Sequence, residues 1–232
     1  MSLQEDLILD IDAVFFDLDG TLADTGPDMA TAINALLVEE GRAPLSYFEI
    51  RPWVSHGARA LVSLGFNVDE GDPNYETLRR RFLDHYQQVL CRETKLFEGM
   101  DTVLHFCDDK SIQWGIVTNK PHYLTEPLLK ELGLIERAYC VVSGDSLINR
   151  KPHPDPLLHA CRLIGKAPSQ SIYIGDAHRD IEAGNSAGMT TLVATFGYLG
   201  EHDEPENWGA YGLVDKPADI IEWLTTCCPK YR

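Results

Sequence analysis

The sequence predicts an α/β fold, a Rossmann-like doubly wound parallel sheet carrying an inserted α-helical cap. Three observations predict it. Short apolar runs recur along the chain, helical patterns separate them, and one long early stretch holds helical patterns only. The runs are "AVFF" at 13–16, "WGIV" at 114–117, "CVV" at 140–142, "IYI" at 172–174 and "TLVAT" at 191–195. None shows the strict apolar/polar alternation of a strand with one wet face. Both faces of each are therefore expected to be covered, as in a parallel sheet between two helical layers.

The helical patterns follow in order. "YLTEPLLKELG" places Leu124, Leu128, Leu129 and Leu132 on one side and stops at Gly133, with Pro127 expected to kink or restart it. "DPLLHACRLIG" reads as a helix with Asp155 as N-cap, Pro156 at the first helical position and Gly165 just past the end. "RDIEAGNSAG" repeats that pattern from Asp180 to Gly188. Strands alternating with helices imply an open parallel sheet.

Between Asp24 and Lys95 the alternation stops. "MATAINALLVEEG", "ARALVSLGF" and "YETLRRRFLDHYQQVL" are all helical, the last with Leu78, Phe82, Tyr86, Val89 and Leu90 at helical spacing. The expected division is a core of residues 1–23 and 95–232 and a helical cap of residues 24–94, with Trp53 in the cap's interior.

Bulk properties exclude several function classes. The formal charge is −16, from 36 acids against 20 bases, which disfavours binding to nucleic acid or an anionic membrane. No apolar run approaches bilayer-spanning length. The N-terminal "MSLQEDLILDID" is acidic and lacks the basic start of a secretory signal, so a cytoplasmic protein, monomeric or homodimeric, is expected. The six cysteines, at 91, 107, 140, 161, 227 and 228, show neither CxxC nor zinc-type spacing and read as reduced thiols. An anionic substrate would need a local positive feature, and a cation held by carboxylates is the simplest one.

In an open α/β sheet, ligands collect at the carboxyl ends of the strands. The first run ends in "DLDGT", with Asp17 and Asp19. "IVTNK" ends with Thr118 and Asn119, "RKPHPDP" supplies Lys151, and "IYIGDAHRD" supplies Gly175, Asp176 and Asp180. Carboxylates, a hydroxyl, an amide and an amine together offer oxygen ligands for a hard cation and donors for phosphate oxygens. Taken singly each is commonplace: Asp-x-Asp in a turn, Thr118-Asn119 as a helix cap, Asp180 as a cap.

These four motifs, in this order, resemble those of the haloacid dehalogenase superfamily, and the insertion after the first resembles its C1-capped phosphatase branch. The resemblance covers essentially the whole chain. It implies Asp17 as the nucleophile that becomes an aspartyl-phosphate, and Asp19 as acid and then base. It implies Mg²⁺ held by the Asp17 side chain, the Asp19 backbone carbonyl and Asp176. Thr118 and Asn119 would donate to phosphoryl oxygens, and Lys151 would neutralise nucleophile and phosphate.

The presence of Asp19 points away from the dehalogenases of the family and toward a phosphomonoesterase, with a phosphomutase as the alternative. The family's phosphonatases carry a cap lysine, and this chain has no lysine between Asp24 and Lys95. Specificity is expected from "RPWVSHGARAL" at 51–61. There Ser55, His56, Gly57 and Arg59 either open a helix that binds a carboxylate or sugar oxygens, or form a solvated loop. The cap and "FGYLGEHDEPENWGA" resemble a subgroup of phosphoglycolate phosphatases, some of whose members act on N-acetylmuramic acid 6-phosphate. The expected partner is thus a small carboxylated or sugar phosphate monoester. A phosphoacceptor regulatory protein of receiver type is the alternative from another class. Its acidic pair would precede the phosphorylated aspartate by a helix and a strand, whereas here the acids flank one strand end.

Overall fold

The computed structural model describes residues 9–232. The chain enters through β1 (Ala13–Phe16) and turns into the short β2 (Ala23–Asp24). Four helices follow: α1 (Gly26–Glu39), α2 (Tyr47–Ile50), α3 (Gly57–Phe66) and α4 (Tyr75–Val89). β3 (Lys95–Leu96) then returns the chain, antiparallel to β2. After it come α5 (Met100–Asp109), β4 (Gln113–Val117), α6 (His122–Glu131) and β5 (Cys140–Val142). α7 (Asp155–Ile164), β6 (Ser171–Gly175), α8 (His178–Ala187) and β7 (Thr190–Ala194) continue the alternation. β8 (Gly212–Val214) and α9 (Pro217–Cys227) close it.

Six strands form one parallel sheet in the order β5-β4-β1-β6-β7-β8. The direction of winding reverses beside β1, which places the carboxyl ends of β1, β4 and β6 around the switch point where such sheets bind ligands. The lack of alternation in the strands is explained by burial on both faces. Val14 and Phe16 join Trp114, Ile116, Ile172 and Ile174 on one face, while Ala13 and Phe15 join Val117 and Tyr173 on the other. Each fully buried phenylalanine contributes about 1.5–3 kcal/mol. The helices α1, α3 and α4 bury a separate cluster containing Ile33, Leu36, Leu61, Val62, Phe82 and Tyr86, joined by Leu124 of α6 and by Tyr198.

Several local expectations are corrected. Helix α6 does not restart at Pro127 but runs continuously through it, the buried Leu124, Leu128 and Leu129 holding it across the one missing hydrogen bond. Asp155 is the first residue of α7 rather than its N-cap, and Pro154 precedes it. Helix α8 begins at His178, two residues before Asp180, whose carboxylate reaches back to the Ala177 N–H at 3.1 Å. Trp53 is 45% exposed, since its neighbours Ile50 and Val54 fill the interior positions instead. β8, at three residues, went unexpected because its apolar run is too short to register. Gly165 and Gly188 end α7 and α8 as expected. All six cysteines are free thiols, and no helix among the described residues is long and apolar enough to cross a membrane.

Candidate active site

The end of β1 delivers Asp17 into the sheet's crevice, with its backbone N–H donating to the Ile174 carbonyl of β6 at 2.9 Å. Its side chain is buried, 4% exposed, and its Oδ1 accepts the Leu18 N–H at 2.7 Å and lies 2.9 Å from Lys151 Nζ. Lys151 approaches from the loop after β5. Its ammonium is fully enclosed by Asp17, Asp180 Oδ1 at 2.8 Å, the Tyr173 hydroxyl at 2.7 Å and the Val117 carbonyl at 3.0 Å. Burial alone would lower its pKa; Asp17 and Asp180 reverse that and hold it above the ordinary lysine value.

Asp176, at the end of β6, accepts the Ser55 hydroxyl at 2.5 Å and the Tyr198 N–H at 2.9 Å, both on Oδ2. Carboxylate oxygens of Asp17, Asp176 and Asp180 all lie within 4.8 Å of one another. Three acids face one ammonium. The consequence is visible in two of them: burial and neighbouring carboxylates push Asp176 up to about 7, and burial, opposed by Lys151 and reinforced by Asp180, leaves Asp17 at about 6. Such a cluster lacks positive charge, and an all-oxygen donor set fits a hard divalent cation. Of the expected metal set, the Asp17 and Asp176 side chains fall in this cluster, joined by Asp180; Asp19 was expected to contribute its backbone carbonyl, not its side chain.

Asp19 lines the same cavity with different partners. Its Oδ1 accepts the Thr25 hydroxyl at 2.6 Å and lies 2.7 Å from Lys120 Nζ. Burial would lower the Lys120 pKa, but Asp19 and Tyr86 raise it above the ordinary value, and the ammonium also stands 4.7 Å from the Tyr86 ring centre. Thr118 is buried, and its hydroxyl accepts the Lys120 N–H at 3.1 Å. The Asn119 side chain donates to the Lys151 carbonyl at 2.9 Å and accepts the Lys151 N–H at 3.1 Å, which ties the side-chain amide to the Lys151 loop.

A cavity of about 450 Å³ opens between these residues and the helices. Asp17, Asp19, Thr118, Asn119 and Lys151 line its floor, while His56, Gly57, Arg59 and Tyr86 line its roof. Asp176 and Asp180 stand behind the floor. Six cations border the cavity (Arg59, Arg79, Lys120, Arg150, Lys151, Arg179) against two acids, Asp17 and Asp19. Gly57 opens α3 with a φ of +73°, a left-handed conformation that favours glycine. Arg59 is 59% exposed and paired with Glu70 at 2.7 Å. A larger groove of about 750 Å³ along α1 carries Glu93 as its one charged lining residue and none of the strand-end groups.

Sequence reasoning missed Lys120 and Arg179, although both sit inside motifs it singled out. It took Tyr86 for plain core because the helical period of α4 was equally satisfied. Ser55 was noticed only as part of a loop; nothing in the sequence pairs it with a carboxylate 121 positions away.

Comparison with known proteins places this geometry. Residues 14–194 match the haloacid dehalogenase-like hydrolases. The chain belongs to this family. An N-acetylmuramic acid 6-phosphate phosphatase from Pseudomonas putida is 41% identical over 208 residues, covering 90% of this chain and 93% of the relative. A phosphoglycolate phosphatase from Xanthomonas campestris is also 41% identical, over 210 residues, covering 90% and 95%. Among solved structures, a predicted phosphoglycolate phosphatase from Haemophilus somnus superposes with a TM-score of 0.82 at 27% identity, covering 92% of this haloacid dehalogenase-like chain and 98% of that one. A Rhodobacter sphaeroides protein solved in complex with phosphate shares the fold, with a TM-score of 0.73 at 23% identity over 90% of this chain and 96% of that one.

Proposed function

We propose that the chain is a Mg²⁺-dependent phosphomonoesterase that works through an aspartyl-phosphate on Asp17, with residues 24–94 acting as a cap over the core. The observation that carries this reading is the buried cluster of Asp17, Asp176 and Asp180 around Lys151, beside a cation-rich cavity. Both recorded contacts of the Asp17 carboxylate fall on Oδ1, which leaves Oδ2 as the attacking oxygen. It bonds to phosphorus as the ester P–O bond breaks, and Asp19 gives its proton to the departing alcohol. Water then attacks the aspartyl-phosphate while Asp19 takes the water's proton. The acyl-phosphate P–O bond breaks, and phosphate and free Asp17 result. Asp17, Asp176 and the Asp19 backbone carbonyl would hold Mg²⁺, which supplies Lewis-acid neutralisation of a phosphoryl oxygen when bound.

The Thr118 hydroxyl and the Asn119 backbone N–H are the donors for the remaining phosphoryl oxygens, and Lys151 balances the charge that builds on the nucleophile's side. The spacing of Asp17 and Asp19 just past the end of β1 gives the two acids separate environments. One sits beside Lys151 among carboxylates; the other rests on Lys120 and Thr25.

The substrate class is a small carboxylated or sugar phosphate, phosphoglycolate or N-acetylmuramic acid 6-phosphate, matching the names of the relatives above. The cavity, about 450 Å³, lies within the roughly 300–1,000 Å³ usual for small-molecule sites and has room for either. The test is steady-state phosphate release with Mg²⁺ from phosphoglycolate, N-acetylmuramic acid 6-phosphate, hexose phosphates and an aryl phosphate. Asp17→Asn should abolish release from all of them while the protein still melts cooperatively. Retained turnover in that variant would refute the nucleophile assignment, and a single stoichiometric phosphorylation without turnover would favour the phosphoacceptor alternative.

A further inference from the structure

Asp176 is gripped from the helical side of the cavity. Ser55 lies in the loop that opens α3, yet its hydroxyl donates to Asp176 Oδ2 at 2.5 Å, across to the sheet. Its carbonyl accepts the guanidinium of Arg179, which rises from the first turn of α8 immediately beside Asp176 and Asp180. Arg179 forms no ion pair with a carboxylate among the described residues within 4.0 Å; its hydrogen bond goes to this loop. A second strap runs parallel. Arg51 donates to the Phe196 carbonyl at 3.2 Å and the Gly197 carbonyl at 2.7 Å, and the next N–H, that of Tyr198, is the other donor to Asp176 Oδ2. Space is equally tight. A Cβ on Gly20 or on Gly197 would collide with the Asp176 side chain, and one on Gly20 would also come within 2.8 Å of Ser55 Oγ.

We propose that Ser55 and Arg179 are positioning residues that couple divalent-cation affinity to closure of loop 54–57 over the sheet, an inference that rests on Asp176 being a cation ligand. Two donors on Oδ2, with the Thr21 hydroxyl 3.5 Å from Oδ1, fix the plane of the carboxylate that is shared with the Asp17 and Asp180 cluster. Outer donors of this kind orient ligating carboxylates, and losing one typically lowers metal affinity roughly 10–100-fold. Here one donor comes from the cap rather than the core, so the cation site is complete only with the loop seated. Coupling of this kind is reciprocal: the loop favours the cation, and the cation favours the seated loop by the same factor. Arg179 contributes at one remove, by holding the Ser55 backbone so that the hydroxyl faces Asp176.

The test is calorimetric titration of Mg²⁺ into the wild type and into Ser55→Ala, Ser55→Thr and Arg179→Met, with amide hydrogen exchange of residues 54–57 followed alongside. Ser55→Ala should weaken Mg²⁺ binding roughly 10–100-fold. Arg179→Met should weaken it in the same direction, and Ser55→Thr, which keeps the hydroxyl, should stay near the wild type. Mg²⁺ should slow exchange at 54–57 in the wild type and much less in Ser55→Ala. Melting curves in EDTA establish that each variant is folded. Wild-type affinity in folded Ser55→Ala would overturn the proposal. A wild-type protein that binds no Mg²⁺ would instead remove the metal reading beneath it, and the two failures are told apart by the wild-type titration alone.

Discussion

Asp176→Asn makes the charge imbalance of the site measurable. Burial first, then Asp17 and Asp180, push Asp176 up to about 7 from an ordinary 3.8. A carboxyl whose pKa is raised on folding holds its proton more tightly in the folded state. The stabilisation that results is complete below the unfolded value and is lost as pH rises through the folded one. The gap of about three pH units, at about 1.4 kcal/mol each, amounts to about 4 kcal/mol. For a chain of this length one kcal/mol moves Tm by about 2–4 °C. Metal-free wild type should therefore lose roughly 8–16 °C relative to Asp176→Asn between about pH 4 and about pH 8. Scanning calorimetry of both proteins in EDTA reads the difference directly. Carboxylates held low by surface partners, such as Glu39 and Glu49, act oppositely at acid pH but cancel in the comparison. Added Mg²⁺ should raise the wild-type Tm strongly at the alkaline end and little at the acid end, where protons already occupy the cluster. A wild-type-minus-variant difference that stays flat across this range would refute the reasoning.

Three further outcomes are expected. Lys151→Met should destabilise the protein by about 3–5 kcal/mol, because it strands Asp17 and Asp180 without their buried ammonium, and it should abolish phosphate release; urea unfolding checks it. Gly20→Ala should lower activity at least roughly tenfold and stability by about 1–2 kcal/mol, since the residue sits at a φ of +85° and a Cβ would strike Asp176; kcat and Tm measured together check it. Arg59→Ala should change stability by less than about 1 kcal/mol, its pairing with Glu70 being exposed. It should raise KM for carboxylated substrates roughly tenfold, about 1.4 kcal/mol, and for an aryl phosphate much less; equal rises would make Arg59 a structural residue.

What the sequence disclosed was set by how local each signal is. Asp17 was legible because it directly follows an apolar run, and strand ends are where such sheets bind ligands. Thr118 and Asp176 were legible because each directly follows another strand-forming run, and Lys151 because its Lys-Pro loop falls between them in the expected order. The tie between the Asn119 side chain and the Lys151 backbone was not legible, because nothing local in the sequence links two residues 32 positions apart. Trp53 failed for a related reason: Ile50 and Val54 flank it in a short turn, and only three-dimensional packing decides which of the three turns inward. The contacts of Ser55 with Asp176 and of Lys120 with Asp19 span 121 and 101 positions, so neither periodicity nor spacing carries them. Tyr86 satisfied two roles at once, core filler and cavity wall, and helical periodicity reports only the first.

The chain's net charge of −16 and its anionic substrate class are reconciled by where the charges lie. Six cations against two acids border the cavity, and each of those acids is held by a buried lysine, Asp17 by Lys151 and Asp19 by Lys120. Surface carboxylates farther off than about 8–10 Å are largely screened at physiological salt. Inside a cleft with low-dielectric walls, field lines are focused and screening is weaker, so the local sign governs what enters. The cluster of Asp17, Asp176 and Asp180 is the exception, a concentration of negative charge at the floor that Lys151 alone does not balance. A divalent cation there would turn the floor from a barrier into an attractor for phosphate, while Arg59 and Arg79 of the roof and rim are paired with Glu70 and Glu76 and Arg179 with the Ser55 carbonyl. Cation and phosphate ester would then favour each other at this floor, so substrate affinity should fall with Mg²⁺ removal also in the Asp17→Asn protein.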